Sequence, residues 1–218
     1  MTALLRSLLL MIMLGSLSIA AAEEAATDAA TEVSSATPHA VIESRATALA
    51  EQLKGRQDYY NENTTELYDV VRNLLLPGFD VQYASKLVLG RTHWTAATEA
   101  QRERFIQAFY SFLVRTYAKG LLGFDQSNMT VDPEASYSKD GDKALVKTTL
   151  ALENGDAVNI NYALRETADG WKMYDVRIDG VSYIQNYRSQ FDAEISDLGI
   201  DAVISRLESE SGGAADSA

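Results

Sequence analysis

The sequence predicts an α+β fold, in which a curved antiparallel sheet of about four strands is covered by amphipathic helices and encloses an apolar cavity. Three observations lead to this class. Apolar residues recur at helical spacing up to about residue 122, and they alternate with polar residues between residues 144 and 178. From residue 182 they return to helical spacing. With 46% hydrophobic residues, the chain has enough apolar side chains for a substantial core.

The first 22 residues have the pattern of a cleaved export signal. Arg6 supplies the positive charge, residues 8–17 are apolar, and Ala20 to Ala22 offer a small-residue cleavage site. The alternative is a membrane anchor, but the apolar run is shorter than the roughly 20 residues that span a bilayer. Residues 23–38 are predicted to be a disordered acidic leader, residues 39–208 a single domain, and residues 209–218 a disordered tail.

The charge balance and the absence of cysteine exclude several classes of protein. Without cysteine there is no disulfide scaffold, zinc ribbon, iron–sulfur cluster or thiol nucleophile. A formal net charge of -12 argues against nonspecific nucleic-acid binding and against docking on anionic lipid. An exported chain that lacks cysteine fits the bacterial periplasm, where packing alone can hold the fold together.

Four helices are predicted before the sheet, over residues 41–54, 64–76, 79–89 and 98 to about 122. Asn63 and Glu66 have the spacing of a capping box at the second start, and Asp80 is the expected cap of the third helix. The third helix is expected to end at Gly90, which places His93 and Trp94 in a loop. Thr98 and Gln101 form a second capping box, before a helix with a wide apolar face.

The strands follow as a meander. Residues 128–137 have weak strand character that is interrupted by Pro133, as at a sheet edge. Strands are predicted at 144–152, 158–164 and 171–178, joined by turns at Asn154-Gly155 and Asp169-Gly170. Ser182 is the expected cap of a closing helix that runs to residue 199, and a short last helix begins at Asp201.

Candidates for chemistry are few. His93 would need an orienting carboxylate and a nucleophile to be catalytic, and no spacing in the sequence supplies them. Asp175 and Asp179 could share one face of a strand, yet acids beside a glycine at a strand end are typical of turns. The two histidines are far apart, and there is no calcium loop or phosphate loop. We therefore expect no catalytic residue, no metal and no cofactor, and we expect that the protein is not an enzyme.

Several stretches resemble the MlaC family, also called the toluene-tolerance auxiliary family. The resemblance covers roughly residues 41–207 and rests on the order and spacing of many short matches. The matching positions are 76–80 (LPGFD), 84–90 (ASKLVLG), Trp94, Thr98, Gln101, Phe105, Phe109, 116–118 (TYA), 158–162 (VNINY), 171–176 (WKMYDV), 180–182 (GVS) and 186–191 (NYRSQF).

The resemblance implies a fold and a function. The fold would be of the cystatin or nuclear-transport-factor type, with helices that enclose acyl chains. The protein would be a soluble periplasmic carrier of phospholipid, which maintains the lipid asymmetry of the outer membrane. Its partners would be an outer-membrane lipoprotein–porin complex and an inner-membrane MCE-domain protein of an ABC transporter. Some members are basic whereas this chain is acidic, so docking contacts are expected to differ here.

A lipid pocket would be lined by apolar side chains from the helices and from one face of the sheet. The predicted lipid-binding residues are Val71, Leu74, Leu75, Phe105, Phe109, Leu113, Val146, Leu150, Ile160, Tyr162, Val176, Tyr183 and Tyr187. Arg188 is the predicted headgroup or partner contact. Two alternatives are a small periplasmic enzyme that uses Asp175 and a tyrosine on an apolar substrate, and an adaptor that binds no lipid.

Overall fold

The computed structural model describes residues 36–152 and 154–212. The predicted signal peptide, residues 23–35 of the predicted leader and residues 213–218 of the predicted tail lie outside the described residues. Within them, no helix is both long and apolar enough to cross a membrane.

Seven α-helices flank the strands in the described part of the chain. They are α1 (Pro38–Leu53), α2 (Gln57–Glu62), α3 (Thr64–Leu75), α4 (Val81–Ala96), α5 (Glu99–Tyr117), α6 (Tyr183–Leu198) and α7 (Ile200–Gly212). Short 3₁₀ turns follow α3 and α5 and precede the first strand, at Leu76–Gly78, Ala118–Gly123 and Gln126–Asn128. Helix α7 thus continues four residues into the segment that was predicted to be a disordered tail.

The strands form one antiparallel sheet, which confirms the α+β class. They are β1 (Met129–Val131), β2 (Ser136–Tyr137), β3 (Lys143–Ala151), β4 (Ala157–Thr167), β5 (Gly170–Ile178) and β6 (Val181–Ser182). Their order across the sheet is β1-β3-β4-β5-β6, and β2 also pairs with β3. The edge segment predicted at residues 128–137 is divided into β1 and β2, and β6 is an additional strand whose two residues are too few for a periodic pattern to predict.

Of the four helix caps predicted from the sequence, three are present in the structure. The side chains of Asp80, Thr98 and Ser182 each accept a hydrogen bond from the backbone N–H three residues on. The predicted capping box at Asn63 is wrong, because Asn63 is the single residue between α2 and α3 and its side chain caps no N–H of α3. The Asn63 side chain instead donates to the carbonyl oxygen of Tyr59, and Glu66 accepts from the Tyr59 hydroxyl.

Helix α4 is kinked at Gly90, whose φ of 64° and ψ of 175° are not helical. This conformation is open essentially only to glycine. The predicted end of a helix at Gly90 is therefore found, but the chain then resumes a helical path to Ala96. His93 and Trp94 lie in this second segment, so their placement in a loop was wrong.

The capping box at the start of α5 is reciprocal. Thr98 Oγ1 accepts from the Gln101 N–H (3.2 Å), and Gln101 Oε1 accepts from the Thr98 N–H (2.9 Å). Replacing Thr98 by alanine is expected to lower the free energy of unfolding by about 1 kcal/mol, as measured by urea denaturation. Thr95→Ala is the control, since its hydroxyl donates to the carbonyls of Arg91 and Thr92 within its own helix and caps no N–H. An equal loss in both variants would contradict a specific role for the cap.

The buried apolar residues form three clusters. The first joins α4, α5, α6 and α7 around Phe105, Phe109 and Phe191. The second joins α1, α2, α3 and the end of α5 around Leu53 and Leu67. The third lies between the sheet and the beginning of α1, and consists of Ile42, Val146, Leu164 and Met173. Helices α1 and α5 each contribute to two clusters, so they connect the three cores.

The segment 76–80 joins the helices to the sheet. Asp80 N–H donates to the Met173 carbonyl (2.7 Å), and the Asp80 carboxylate accepts from Arg165 Nη1 (2.8 Å). Arg45 of α1 donates to the Leu74 carbonyl (3.0 Å) and lies against Gly78. A Cβ at Gly78 would stand 3.0 Å from Arg45 Nε, so the guanidinium needs a glycine there. These contacts fix the end of α3 relative to β4 and β5.

Candidate functional site

One face of the sheet carries an apolar row that crosses three strands. We call this the inner face. Strand register pairs Val146 with Tyr162 and Tyr162 with Val176, and it pairs Thr148 with Ile160 and Ile160 with Ile178. Residues that are paired directly across an antiparallel sheet project to the same side. Leu150 and Val158 extend the face toward the β3–β4 hairpin.

Only half of the inner face is covered. Near β2, Val146 is 0% exposed and packs with Ile42 of α1 in the third cluster. Toward the β3–β4 hairpin, the apolar side chains keep accessible surface and belong to none of the three clusters, whereas Thr148 is buried and donates to the Ile160 carbonyl. We call this part the open half of the inner face, and it consists of Leu150, Leu152, Val158, Ile160, Val176, Ile178 and Val181. At its end Leu152 is 40% exposed and Val181 is 59% exposed.

Helices α3 and α5 do not close over the strands. Contacts with the sheet come from α1, α4 and α6, whereas α3 and α5 have at most marginal contact with any strand. Phe109 of α5 packs in the first cluster and Val114 packs in the second. On the helix surface, Leu113 and Tyr117 lie between the direction of Phe109 and the direction of Val114, and Ser111 lies on the other side. Leu113 and Tyr117 therefore form a stripe of α5 that faces the space between the first and second clusters.

Three tyrosines join α5 to α6 beside the last strand. The hydroxyls of Tyr117 and Tyr187 are 2.6 Å apart, and the ring of Tyr117 packs edge-on against Tyr183 at 5.4 Å. Burial first, and then the hydrogen bond to Tyr117, raise the pKa of Tyr187 above its ordinary value, so the pair stays neutral at physiological pH. Tyr183 directly follows β6, which places these uncharged hydroxyls at the β6 edge of the sheet.

The predicted lipid-binding residues divide into two groups. Five are buried within the clusters and have almost no surface for a ligand: Val71, Phe105, Phe109, Val146 and Tyr187. Eight retain accessible surface: Leu74, Leu75, Leu113, Leu150, Ile160, Tyr162, Val176 and Tyr183. Sequence reasoning missed Val158, Ile178 and Tyr117. The two-residue alternation could have found the first two, because they continue the pattern set by Ile160 and Val176.

Arg188, the predicted headgroup or partner contact, is an exposed residue of α6 whose guanidinium lies against the kink of α4. A Cβ at Gly90 would stand 3.1 Å from Arg188 Nε and 3.2 Å from Nη2. The glycine at the kink therefore meets two needs, its positive φ and the close approach of this side chain. The contact joins α4 to α6 on the surface of the helical layer.

The two acids that were considered as a pair have separate structural partners. Asp175 is 4% exposed and accepts from the Ser182 hydroxyl (2.8 Å), the Ile184 N–H (3.2 Å) and Arg177 Nε (3.4 Å). It thereby fixes the start of α6 on β5. Asp179 has a φ of 47° and accepts from the Asn159 N–H (3.1 Å) at the strand end.

His93 does have a carboxylate neighbour that the sequence did not reveal. Its Nε2 lies 2.9 Å from Asp192 Oδ1 of α6, at an exposed position. Among the described residues, no hydroxyl is hydrogen-bonded to this histidine, so the pair is a hydrogen-bonded contact between α4 and α6. Within residues 36–152 and 154–212, no three acidic or histidine side chains are grouped to hold a metal ion.

The opposite face of the sheet is polar. An open groove of about 820 Å³ there is lined mainly by hydroxyl, amide and charged side chains, including Thr130, Lys147, Thr149, Asn159 and Asn161. None of the predicted lipid-binding residues lines it. In the half of the sheet toward the β3–β4 hairpin, the large apolar side chains that keep accessible surface therefore lie on the inner face.

Comparison with known proteins identifies the family. The family model of the MlaC protein matches residues 43–209. The toluene tolerance protein ttg2D of Pseudomonas putida is 30% identical over 159 residues, which are 73% of each chain. The intermembrane phospholipid transport system binding protein MlaC of Haemophilus influenzae is 23% identical over 181 residues, 82% of this chain and 84% of that protein.

A solved structure has the same fold. It is the phospholipid-binding protein of Ralstonia solanacearum in complex with a phospholipid, with a TM-score of 0.70 and 26% sequence identity. The match covers 81% of this chain and 98% of that chain. The chain belongs to the MlaC family.

Proposed function

We propose that this protein is a periplasmic phospholipid carrier whose acyl-chain site is the open half of the inner face. The observation that carries the proposal is the set of apolar side chains on one face of β3, β4 and β5 that keep accessible surface and belong to none of the three clusters. Water against such a surface is unfavourable, and a ligand that covers it gains about 25 cal/mol for each Å² of apolar area. The relative that was solved in complex with a phospholipid supports the choice of ligand.

The acyl chains would lie between the sheet and the helices. Their walls would be Leu74 and Leu75 of α3, Leu113 and Tyr117 of α5, Tyr183 of α6, and the inner-face residues from Leu150 to Val181. The fully buried members of the predicted set, such as Phe109 and Val146, would support those walls from behind. No charged side chain is needed inside, because the bound groups are apolar.

The headgroup would remain at the hairpin end, in contact with water. A phosphate that is left in solvent avoids the large cost of burying a charge without a partner. Binding energy would then come from the tails, and discrimination between headgroups would be weak. Arg188, on the outer side of α6, remains a proposed contact to a headgroup or a partner protein.

In the cell, the protein would be exported by its cleaved signal peptide and would act in the periplasm. It would receive phospholipid from an outer-membrane lipoprotein–porin complex and deliver it to an MCE-domain protein of an inner-membrane ABC transporter. This traffic would maintain the lipid asymmetry of the outer membrane. No covalent step is involved, and Asp175 is already engaged by three donors at the start of α6.

The proposal is tested by identifying the lipid that is bound to the purified protein. The mature protein is purified from a bacterial periplasm and extracted with organic solvent, and the extract is analysed by mass spectrometry. We expect phospholipid in near-stoichiometric amount, with several headgroups represented. An extract without phospholipid would count against a carrier. Stable pull-down complexes without lipid would favour an adaptor, and pH-dependent conversion of a small apolar substrate would favour an enzyme.

A further inference from the structure

Tyr162 of β4 lies at the border between the covered and the open half of the inner face. Strand register places it opposite Val146, which is buried in the third cluster, and opposite Val176, which keeps accessible surface and belongs to no cluster. Tyr162 itself is partly buried and packs against the third cluster. It is the largest of the three paired side chains, so its ring is the main bulk at this border.

Two further residues extend the border across the sheet. Thr148 of β3 is only 2% exposed, although Leu150 and Ile160 beside it keep accessible surface. Burial raises the pKa of the Tyr162 hydroxyl and the Thr148 side chain offsets part of the rise, which places these two side chains next to each other. Val131 of β1, the register partner of Thr148, also packs against the third cluster. We call Val131, Thr148 and Tyr162 the border row.

The border row limits how far a ligand on the open half can extend. Beyond it, Val146, Leu164 and Met173 are buried side chains of the third cluster, so an acyl chain finds no free apolar surface there. Protein cores are close-packed, and inserting extra methylenes into one is destabilising. In the other direction, the open half runs to the hairpin end of the sheet, which is formed by the β3–β4 hairpin and the β5–β6 turn.

We infer that Tyr162 determines which acyl-chain lengths the protein accepts, because its ring forms the inner end of the acyl-chain site. This inference rests on the proposed function, since it assumes that the acyl chains lie along the open half of the inner face. Chains that end before Tyr162 would be fully covered. The additional methylenes of a longer chain would remain outside, in water. Selection among phospholipids would thus act on the tails and leave discrimination between headgroups weak.

The test measures the acyl-chain lengths of the bound lipid. The purified mature protein is incubated with an excess of vesicles that contain equal amounts of phosphatidylglycerols differing only in acyl-chain length. It is re-isolated by gel filtration, and each bound lipid is quantified by mass spectrometry. Because a bilayer also covers every methylene, lipids that fit the site should be bound in equal proportions. Above a limiting length, the bound fraction should fall up to about fourfold for each methylene that is left in water.

Two substitutions should move this limiting length in opposite directions. Tyr162→Val removes the ring and should admit longer chains. Ile160→Phe places a ring two residues closer to the hairpin end, about 7 Å along the strand, and should shorten the limit by about five methylenes at roughly 1.3 Å each. Asn161→Phe is the matched control, because it adds the same ring on the polar face of the same strand, and it should keep the limit of the unmodified protein.

Thermal unfolding midpoints establish which variants are folded, and Ile160→Phe alone decides if Tyr162→Val does not fold. The inference is overturned if the unmodified protein binds the longest chains as well as the short ones, or if either folded variant keeps the original limit. An equal shift in Asn161→Phe and Ile160→Phe would also overturn it. A protein that binds phospholipid without a length limit refutes this inference alone, whereas one that binds no phospholipid refutes the proposed function.

Discussion

Replacing Ile160 by arginine is expected to leave the protein folded and to remove most of its phospholipid. Ile160 keeps accessible surface on the open half of the inner face, so an arginine there can reach water while the cleft is empty. Bound acyl chains would displace that water, and desolvating the guanidinium costs several kcal/mol. Since ~1.4 kcal/mol already lowers an affinity tenfold, we expect at least about a tenfold fall in recovered lipid.

The control for this variant is the adjacent residue. Asn159→Arg introduces the same side chain on the polar face of the same strand, and it should retain lipid. The measurements are the phospholipid-to-protein ratio by mass spectrometry and the thermal unfolding midpoint of both variants. Val146 is unsuited to this test, because it is 0% exposed and a charge there would disrupt the third cluster. Normal lipid content in a folded Ile160→Arg protein would mean that the tails bind elsewhere.

Replacing Phe109 by alanine is expected to lower the free energy of unfolding by about 3–5 kcal/mol. Its ring contacts Phe105 at 5.6 Å, Phe191 at 5.7 Å and Tyr187 at 5.4 Å, between α5 and α6. Truncation would leave a cavity among these three aromatic rings that the helix backbones cannot collapse to fill. Urea denaturation measures the loss, as a lower midpoint with an unchanged slope.

The comparison variant lies one helical turn further on. Leu113→Ala removes a side chain that is only partly buried, on the stripe of α5 between the two clusters. It should cost less stability than Phe109→Ala and should reduce phospholipid recovery more. The opposite pattern, stable protein without lipid for Phe109→Ala, would place Phe109 in the wall of the cleft and Leu113 in the core.

The order of elements and most of their ends could be predicted because the signals are local. A two-residue alternation identifies the inner face from Val146 to Val176, and the capping box at Thr98 depends on only four residues. A cap prediction failed where two neighbouring helices compete for the same residue. Helix α2 has no apolar period in its six residues, and its presence redirects the side chain of Asn63 from a cap to a backward contact.

The candidate site could be predicted only as a set of apolar positions. Periodicity shows which side of α5 is apolar, but Phe105 and Leu113 have the same signature in the sequence. Which of them is sealed in a core depends on α6 and α7, more than 70 residues away in the chain. The partial cover of the sheet is likewise set by where α1 crosses it. The exposed Leu152 and Val181 became informative only when strand register brought them to one end.

The division of the interior into three separate cores has a consequence for how the molecule can deform. In a protein with one continuous core, widening a cleft exposes buried side chains and is opposed by the hydrophobic effect. Here the third cluster, on the sheet, contains no residue of α5, so the distance between α5 and the sheet can change while Phe105, Leu67 and Leu164 each stay within their own cluster. Widening the space between α5 and the sheet therefore exposes little buried apolar surface, and an acyl chain bound as proposed would link the helical clusters to the cluster on the sheet.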